Sequence, residues 1–570
     1  MFHKPVWRFH RRRLLAAVIP VVTVAAVATS LFARSGHKPA GTDSPRLASA
    51  TQVWPNVCAN LTKLSLSSTT VNSAVDTSAG TVLPSIPLYP PAPVVETCRV
   101  HATVTTPGAS DHIGIDVWMP VSGWNGRFQG VGGSGYLGGD PYDLAAPVNS
   151  GYSAAVTDAG NPAPPSARAI LNGSFALDSN GRLNWAAIQD FSYRGVHDLA
   201  VVGKAVTAAY YGSMAKFSYW NGCSTGGRQG LAEAQRYPSD FNGILAGAPA
   251  INWQNYVPAS LWPQLVMQQS GDFLPQCKFS AFQAAAIKAC DSLGDGVVDG
   301  VIGDPLACKF DPNSLIGTST PCGTITAQDA QVVAKIIAGP RTTGGDFLWY
   351  GPLWGSMFAG SPLNPLSGLA NTTTNGGTIV GAPFPLVLQY LGTWVQQNPP
   401  VPAGTWDWRT TTSDQFDQLF QQSSEMYGDV LGTDNPDLSG FKQAGGKLVI
   451  YQGLADQLIT PLGTINYFSR VQHSMGGSEN TTDFARLFLA PGMAHCAGGP
   501  GPNPDKPLSQ LVNWVENGQA PTSLNGVVRA PSGAVTATRP ICMYPKVAAY
   551  NGQGPATQAS SFTCRPDADA

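Results

Sequence analysis

The residues with the clearest chemistry form the run Gly222-Cys223-Ser224-Thr225-Gly226-Gly227, which contains a Gly-x-Ser-x-Gly pattern. A serine hydroxyl is a weak nucleophile. It needs a base to take its proton, an acid to orient that base, and N–H donors for the oxyanion that develops. Only His473 and His495 follow Ser224 in the chain. His495 sits in a Gly-Met-Ala-His loop after an apolar stretch, whereas His473 falls near the end of a helix-like segment, so His495 is the expected base. Asp456 closes another apolar stretch and gives the order Ser…Asp…His; Asp483, which precedes a strand, is the weaker choice of acid. Ser224, Asp456 and His495 are thus the expected catalytic residues.

The oxyanion needs two backbone donors: the N–H of Thr225, next to the nucleophile, and one from the loop after an earlier strand. Val131-Gly132-Gly133-Ser134-Gly135 supplies that loop, and Gly132 or Gly133 is the expected donor. Gly133-x-Gly135-x-x-Gly138 with Asp158 beyond it also matches a dinucleotide fingerprint. That fingerprint requires a helix opening directly after the glycines, and residues 136–151 read as loop, which excludes it.

Cys223 precedes the serine and Cys496 follows the histidine. Serine and histidine in hydrogen-bond reach bring these two cysteines near enough to bond, which would staple the pair. The chain has ten cysteines, an even number, and no Cys-x-x-Cys. Disulfides rather than metal ligation or redox chemistry are expected of them. Near neighbours suggest Cys58–Cys98 and Cys542–Cys564; the sequence itself leaves the remaining connectivity open.

A second chemical motif spans residues 290–301. With Asp291 as position 1, Asp295 is position 5, Gly296 position 6 and Asp299 position 9, as in part of an EF-hand loop. Acids are missing at positions 3 (Leu293) and 12 (Ile302). Three carboxylates with the carbonyls of Val297 and Val301 form a candidate calcium site, structural rather than catalytic because serine chemistry needs no metal.

Elements must position these groups. Short strand patterns run at 99–105, 113–120, 127–131, 152–158 and 217–220, with helical patterns at 190–211 and 228–236. Strand, loop and helix alternate, as in an α/β sheet. The alternation fades between 253 and 445, where Trp253, Trp262, Trp349, Trp354, Trp394, Trp406 and Trp408 crowd in, and resumes with strands at 447–451 and 486–490 flanking a helical 464–471. The expected architecture is therefore a core of residues 34–252 and 446–570 interrupted by an inserted domain at 253–445.

Composition agrees with a folded enzyme: 43% hydrophobic residues, only 12% charged, and 63 Gly with 47 Pro for many turns. Five of the 33 Lys and Arg lie before residue 34, while no acid precedes Asp43, so the rest of the chain is mildly acidic and nucleic acid is not an expected partner. The basic stretch ending Arg11-Arg12-Arg13 followed by apolar residues 14–33 reads as a signal peptide, 1–33, and secondarily as an uncleaved anchor, the one route to membrane association. A secreted or periplasmic location follows.

Taken together, Cys223-Ser224, Asp456, His495-Cys496 and Cys290-Asp291…Asp295-Gly296…Asp299-Gly300 resemble the tannase and feruloyl esterase family, which also contains the hydrolase of mono(2-hydroxyethyl) terephthalate. The resemblance covers about residues 55–565. It implies an α/β-hydrolase core, a large lid inserted before the acid, and a calcium ion in that lid. It further implies that Cys290 pairs with Cys308 and, with it, Cys277 with Cys322. Asp291 and Asp295 stand four apart where the family's loop has three. The expected activity is hydrolysis of small-molecule esters of aromatic acids such as gallate or ferulate. A terephthalate monoester is the alternative substrate. The rival from another class is a secreted calcium-stabilised binding protein without turnover.

Overall fold

Nine strands form one sheet in a computed structural model that describes residues 53, 55–82, 93–109, 111–161, 169–360, 368–397 and 406–566. They are β1 (Thr69–Thr77), β2 (Thr97–Val104), β3 (Ile113–Pro120), β4 (Arg127–Val131), β5 (Ser153–Thr157), β6 (Phe217–Cys223), β7 (Gly243–Gly247), β8 (Lys447–Gly453) and β9 (Ala485–Ala490). Their order across the sheet is β1-β2-β3-β5-β4-β6-β7-β8-β9. The pairs from β1 to β5 are antiparallel, and all pairs from β5 through β4 to β9 are parallel. The segment read as a signal peptide, 1–33, and the start of the expected core domain lie outside the described residues.

The parallel strands are largely buried because helices cover both faces of the sheet, and antiparallel β3 beside them is buried as well. On one face α1 (Gly195–Tyr211) buries Val196, Leu199, Val202 and Val206 against Phe128 and Ala155. These are the helical positions anticipated from the sequence, although the first turn, Asp190–Arg194, is wound as a π-helix. α2 (Thr225–Arg236) follows β6, α3 (Trp253–Ala259) opens the insertion, and α4 (Ser413–Leu431) is its longest helix. α5 (Pro461–Ser474) joins the first face through Tyr467, Phe468 and Val471. α6 (Pro507–Asn517) covers the other with Leu511 and Trp514 against Tyr219, Leu245, Val449 and Phe488. Four more strands, β10 (Ser523–Arg529), β11 (Val535–Cys542), β12 (Lys546–Tyr550) and β13 (Phe562–Pro566), form two antiparallel pairs.

The regular structure of the insertion between β7 and β8 is chiefly helical, and five of its tryptophans, Trp253, Trp349, Trp354, Trp394 and Trp408, are buried in core. Trp253 and Trp394 are fully buried with Phe191, Tyr390 and Tyr427, and Tyr136 from the loop after β4 stacks on Trp394 at 5.6 Å. Tyr136, Ile188 and Phe191 from the hydrolase segment thus share a cluster with the insertion. At its far end, Leu438 and Phe441 pack into the sheet's own core, so the tail of the 253–445 segment belongs with the sheet.

Candidate active site

Ser224 lies between β6 and α2 with φ 62° and ψ −123°, a conformation that costs a non-glycine residue about 1–3 kcal/mol. The turn is held by Ser224 N–H donating to Gly247 O, and by the Arg228 and Ala250 N–H groups donating to Ser224 O. Glycine is needed alongside: a Cβ on Gly222 would stand 2.6 Å from the Gly226 carbonyl carbon, and one on Gly132 would stand 2.4 Å from Gly226 Cα. The tight turn lifts the hydroxyl off the end of the parallel sheet.

His495 bridges the two other residues. Its Nε2 is 3.0 Å from Ser224 Oγ and its Nδ1 is 2.9 Å from Asp456 Oδ2. The ionised acid accepts, so Nδ1 carries the proton and Nε2 is the basic nitrogen facing the serine. Asp456 is fully buried, and its charge is met by donors: Leu458 and Ile459 N–H to Oδ1, both 2.9 Å, and Gln452 Nε2 to Oδ2, 2.9 Å. Gln457 Oε1 accepts from His495 N–H at 3.2 Å. His473 is exposed at the end of α5 and Asp483 is exposed ahead of β9, so neither rival belongs to this hydrogen-bonded set. Cys223 and Cys496 are bonded, with Cα atoms 5.9 Å apart. The other four pairs are Cys58–Cys98, Cys277–Cys322, Cys290–Cys308 and Cys542–Cys564.

The oxyanion donors need a correction. Gly132 N–H donates to Asn221 O at 3.0 Å, continuing the β4–β6 ladder, and Gly133 N–H donates to Gln229 Oε1 at 2.9 Å. Gly132 instead serves the close approach of α2 at Gly226, and Gly133 the fold of its own loop, where a Cβ would run into the backbone of Leu137 and Gly138. Among the described residues, no acceptor lies within hydrogen-bond reach of the N–H groups of Thr225 and Ser134. Gln229 fixes this loop from α2, since its Nε2 also donates to Gly138 O at 2.8 Å, while Thr225 Oγ1 donates to Gly135 O. Asp158, the acid of the dinucleotide pattern, accepts from Gly114 and Gly160 N–H within the protein.

A family model described as tannase and feruloyl esterase matches residues 98–565. The chain belongs to the tannase and feruloyl esterase family. It is 38% identical to a protein of Arthroderma benhamiae named probable feruloyl esterase, over 97% of this chain and 98% of that one. It is 31% identical to the mono(2-hydroxyethyl) terephthalate hydrolase of Piscinibacter sakaiensis, over 83% and 85%. The crystal structure of feruloyl esterase B from Aspergillus oryzae superposes with a TM-score of 0.75 at 29% identity, covering 88% of this chain and 98% of that one. The chain is therefore a carboxylic ester hydrolase with the α/β-hydrolase fold.

Within this member of the tannase and feruloyl esterase family, sequence reasoning missed the residues that hold the site. Arg228, one turn after Ser224, is fully buried; it donates to Ser192 O and Phe191 O and lies over the Phe191 ring at 4.7 Å. Burial pushes its guanidinium down to about 10. Gln229, Gln452 and Ser134 carried no sequence signal, being common polar types with no diagnostic spacing.

The acidic loop is tied down by the C-terminal strands. Arg539 on β11 donates to Asp295 Oδ2 at 2.8 Å and to Asp299 Oδ2 at 2.6 Å. Asp291 accepts from Asp299 and Gly300 N–H, and the second oxygens of Asp295 and Asp299 accept from Val297 and Val301 N–H. One guanidinium against three carboxylates leaves two negative charges, which suits a dication. The oxygens are more open than a closed shell: among the described residues the three carboxylates do not bring one oxygen each within 4.8 Å of the others. By donor type and charge the loop fits calcium, which Asp291, Asp295, Asp299 and the Val297 and Val301 carbonyls would hold.

Proposed function

We propose that the chain is an exported serine esterase that cleaves esters of aromatic acids through an acyl-enzyme. The observation that carries this reading is His495, hydrogen-bonded at one nitrogen to Ser224 and at the other to buried Asp456. Nε2 takes the Ser224 proton as Oγ attacks the ester carbonyl. The Thr225 and Ser134 N–H groups receive the oxyanion. His495 then gives the proton to the leaving alcohol, and the acyl group stays on Ser224. Water, deprotonated by the same nitrogen, attacks the acyl carbon, and the acid departs as Oγ regains its proton. Asp456 keeps its charge throughout, fixing the imidazole and stabilising its cation.

The aromatic acyl group is supported by the 38% identity with a protein named feruloyl esterase across nearly the whole chain. The insertion is read as the lid that walls the acyl pocket. A cavity of about 20 Å³ lies between it and the acid's loop, lined by Tyr256, Trp349, Tyr350, Leu458 and Thr460. That cavity has room for about one water, and neither it nor two larger surface clefts of about 460 and 800 Å³ is lined by Ser224, His495 or Asp456. Export is supported by the paired cysteines. Calcium in the Asp291–Val301 loop would stiffen the insertion and supply no step of the reaction.

The test is labelling by a fluorophosphonate, followed by turnover of methyl gallate, methyl ferulate and mono(2-hydroxyethyl) terephthalate. The expected result is an adduct on Ser224, absent in Ser224→Ala, with turnover of the gallate or ferulate ester. No adduct on the folded protein sinks the esterase mechanism and favours the binding-protein reading. Turnover of the terephthalate monoester alone moves the substrate to that class.

A further inference from the structure

The acid of the catalytic set is held by a side chain that the usual three-residue scheme does not include. Gln452 is the penultimate residue of β8 and is fully buried. The Thr464 hydroxyl on α5 donates to its Oε1 at 3.0 Å. That bond turns Nε2 the other way, toward Asp456 Oδ2 at 2.9 Å and toward the carbonyls of Ile459 and Gly453 at 3.3 and 3.4 Å. Three acceptors on that side and one hydroxyl on the other fix which end of the amide is nitrogen.

We propose that Gln452, oriented by Thr464, is a positioning residue for Asp456. The two oxygens of the acid are held differently. Oδ1 accepts two backbone N–H groups from the tight turn at Leu458 and Ile459, and this end is anchored by the chain itself. Oδ2 accepts His495 Nδ1 and Gln452 Nε2, two side chains from separate segments. The backbone donors therefore act as a pivot, and Gln452 stops the carboxylate swinging about it. Without Gln452, Oδ2 would keep a buried lone pair with no donor and would turn to find one, carrying the His495 ring with it. The reacting contact is His495 Nε2 to Ser224 Oγ at 3.0 Å, and a displacement of a few tenths of an ångström there is felt in the chemical step rather than in substrate binding.

This rests on the serine-esterase reading above, and the test separates the two. Gln452→Met keeps the shape and removes the donor. Gln452→Glu keeps the shape and sets an acceptor against an acceptor. Each is purified, checked for fold by circular dichroism and thermal unfolding, and assayed on the ester that the wild type cleaves best. The expected result for Gln452→Met is kcat lower by about 10- to 100-fold with KM within about twofold, a smaller loss than the roughly 10⁴-fold expected when the acid itself is neutralised. Gln452→Glu should lose more. The Thr464 pair decides the matter if those variants fold poorly. Thr464→Val, which cannot orient the amide, should lower kcat a few-fold, and Thr464→Ser, which can, should restore it. A folded Gln452→Met enzyme with wild-type kcat, a change confined to KM, or equal effects of Thr464→Val and Thr464→Ser overturns the assignment. A wild-type protein that takes no fluorophosphonate and cleaves no ester instead removes the reading on which it rests.

Discussion

Cys223 and Cys496 are joined across 273 residues of sequence, each one position from a partner in the Ser224–His495 hydrogen bond. Ser224 and Cys496 both have φ 62°, so each of the two loops contains a non-glycine residue in the left-handed region. The bond fixes the distance between these two strained turns, and the Ser224–His495 contact falls between them. Replacing both cysteines by alanine should lower stability by up to about 5 kcal/mol, the chain-entropy value for so long a closed loop. It should also lower kcat more than it raises KM. Thermal unfolding and steady-state kinetics on the double variant check both, and unchanged kcat in a folded variant removes any catalytic role for the bond.

Gln229 reaches from α2 to both ends of the loop after β4, accepting from Gly133 and donating to Gly138. It is fully buried, so water cannot replace those partners. Gln229→Leu should release the loop and move the Ser134 N–H away from the oxyanion. Loss of one such donor lowers kcat by about 10²–10³-fold. A variant with intact stability and intact kcat would place the second donor elsewhere.

Arg539 is nearly buried and lies over the Phe562 ring at 4.4 Å while its two nitrogens each take one carboxylate of the loop. Arg539→Met should destabilise the protein by about 3–5 kcal/mol, because the Asp295 carboxylate would stay buried without its partner. In the wild type, two negative charges remain after this pairing. A calcium chelator should therefore lower the unfolding temperature, and metal analysis of the untreated protein should find one calcium per chain. A metal-free protein whose unfolding temperature ignores the chelator takes calcium out of this loop.

The sequence reveals the site's chemistry more fully than its support. Ser224, Asp456 and His495 were legible because nucleophile, acid and base are each restricted to a few residue types, and all three sit where an apolar strand ends. β5, β6, β8 and β9 were legible because strands buried on both faces are largely apolar runs, whereas β7, only the five residues Gly243–Gly247 with a glycine at each end, carries too little pattern to read as a strand. Nor was β1 legible: Thr69–Thr77 is an edge strand that buries only Val71, and its polar sequence reads as loop. The sequence points to Gly132 and Gly133 as donors because the second oxyanion donor comes from the loop after an earlier strand, and they open that loop. Here the missing side chain of Gly132 serves the approach of Gly226 and that of Gly133 the approach of Leu137 and Gly138, and both N–H groups are bonded inside the protein. Gln229 and Gln452 act only through contacts with distant segments, and an isolated glutamine has no spacing that announces this. The tryptophans of the insertion were legible as a cluster but not as a role, since pocket and core draw on the same residue type; the structure puts Trp253 and Trp394 in the core.

Asp158 provides a pH test independent of the catalytic residues. It follows β5, and burial pushes its carboxyl up to about 6, with Asp116 adding to the rise and His101 and the Gly160 and Gly114 N–H groups opposing it. Between the ordinary carboxylate value near 3.8 and about 6, the folded protein holds a proton that the unfolded chain has released. Folding therefore loses stability as pH rises through that window, and the loss is complete above it. Asp158→Asn keeps the Oδ1 acceptor that both Gly114 and Gly160 use, at 2.7 and 2.8 Å, and removes only the charge. Its gain over the wild type should be near zero at pH 4 and should grow to a plateau of about 1–3 kcal/mol above pH 6, since a tenfold change in proton affinity between folded and unfolded chains is worth about 1.4 kcal/mol. Denaturant unfolding of both proteins at pH 4, 6 and 8 measures the difference, in which every other titrating group common to both cancels. A gain of the same size at all three values would come from packing and not from charge, and a loss at pH 8 would mean that the anion is stabilised where it lies.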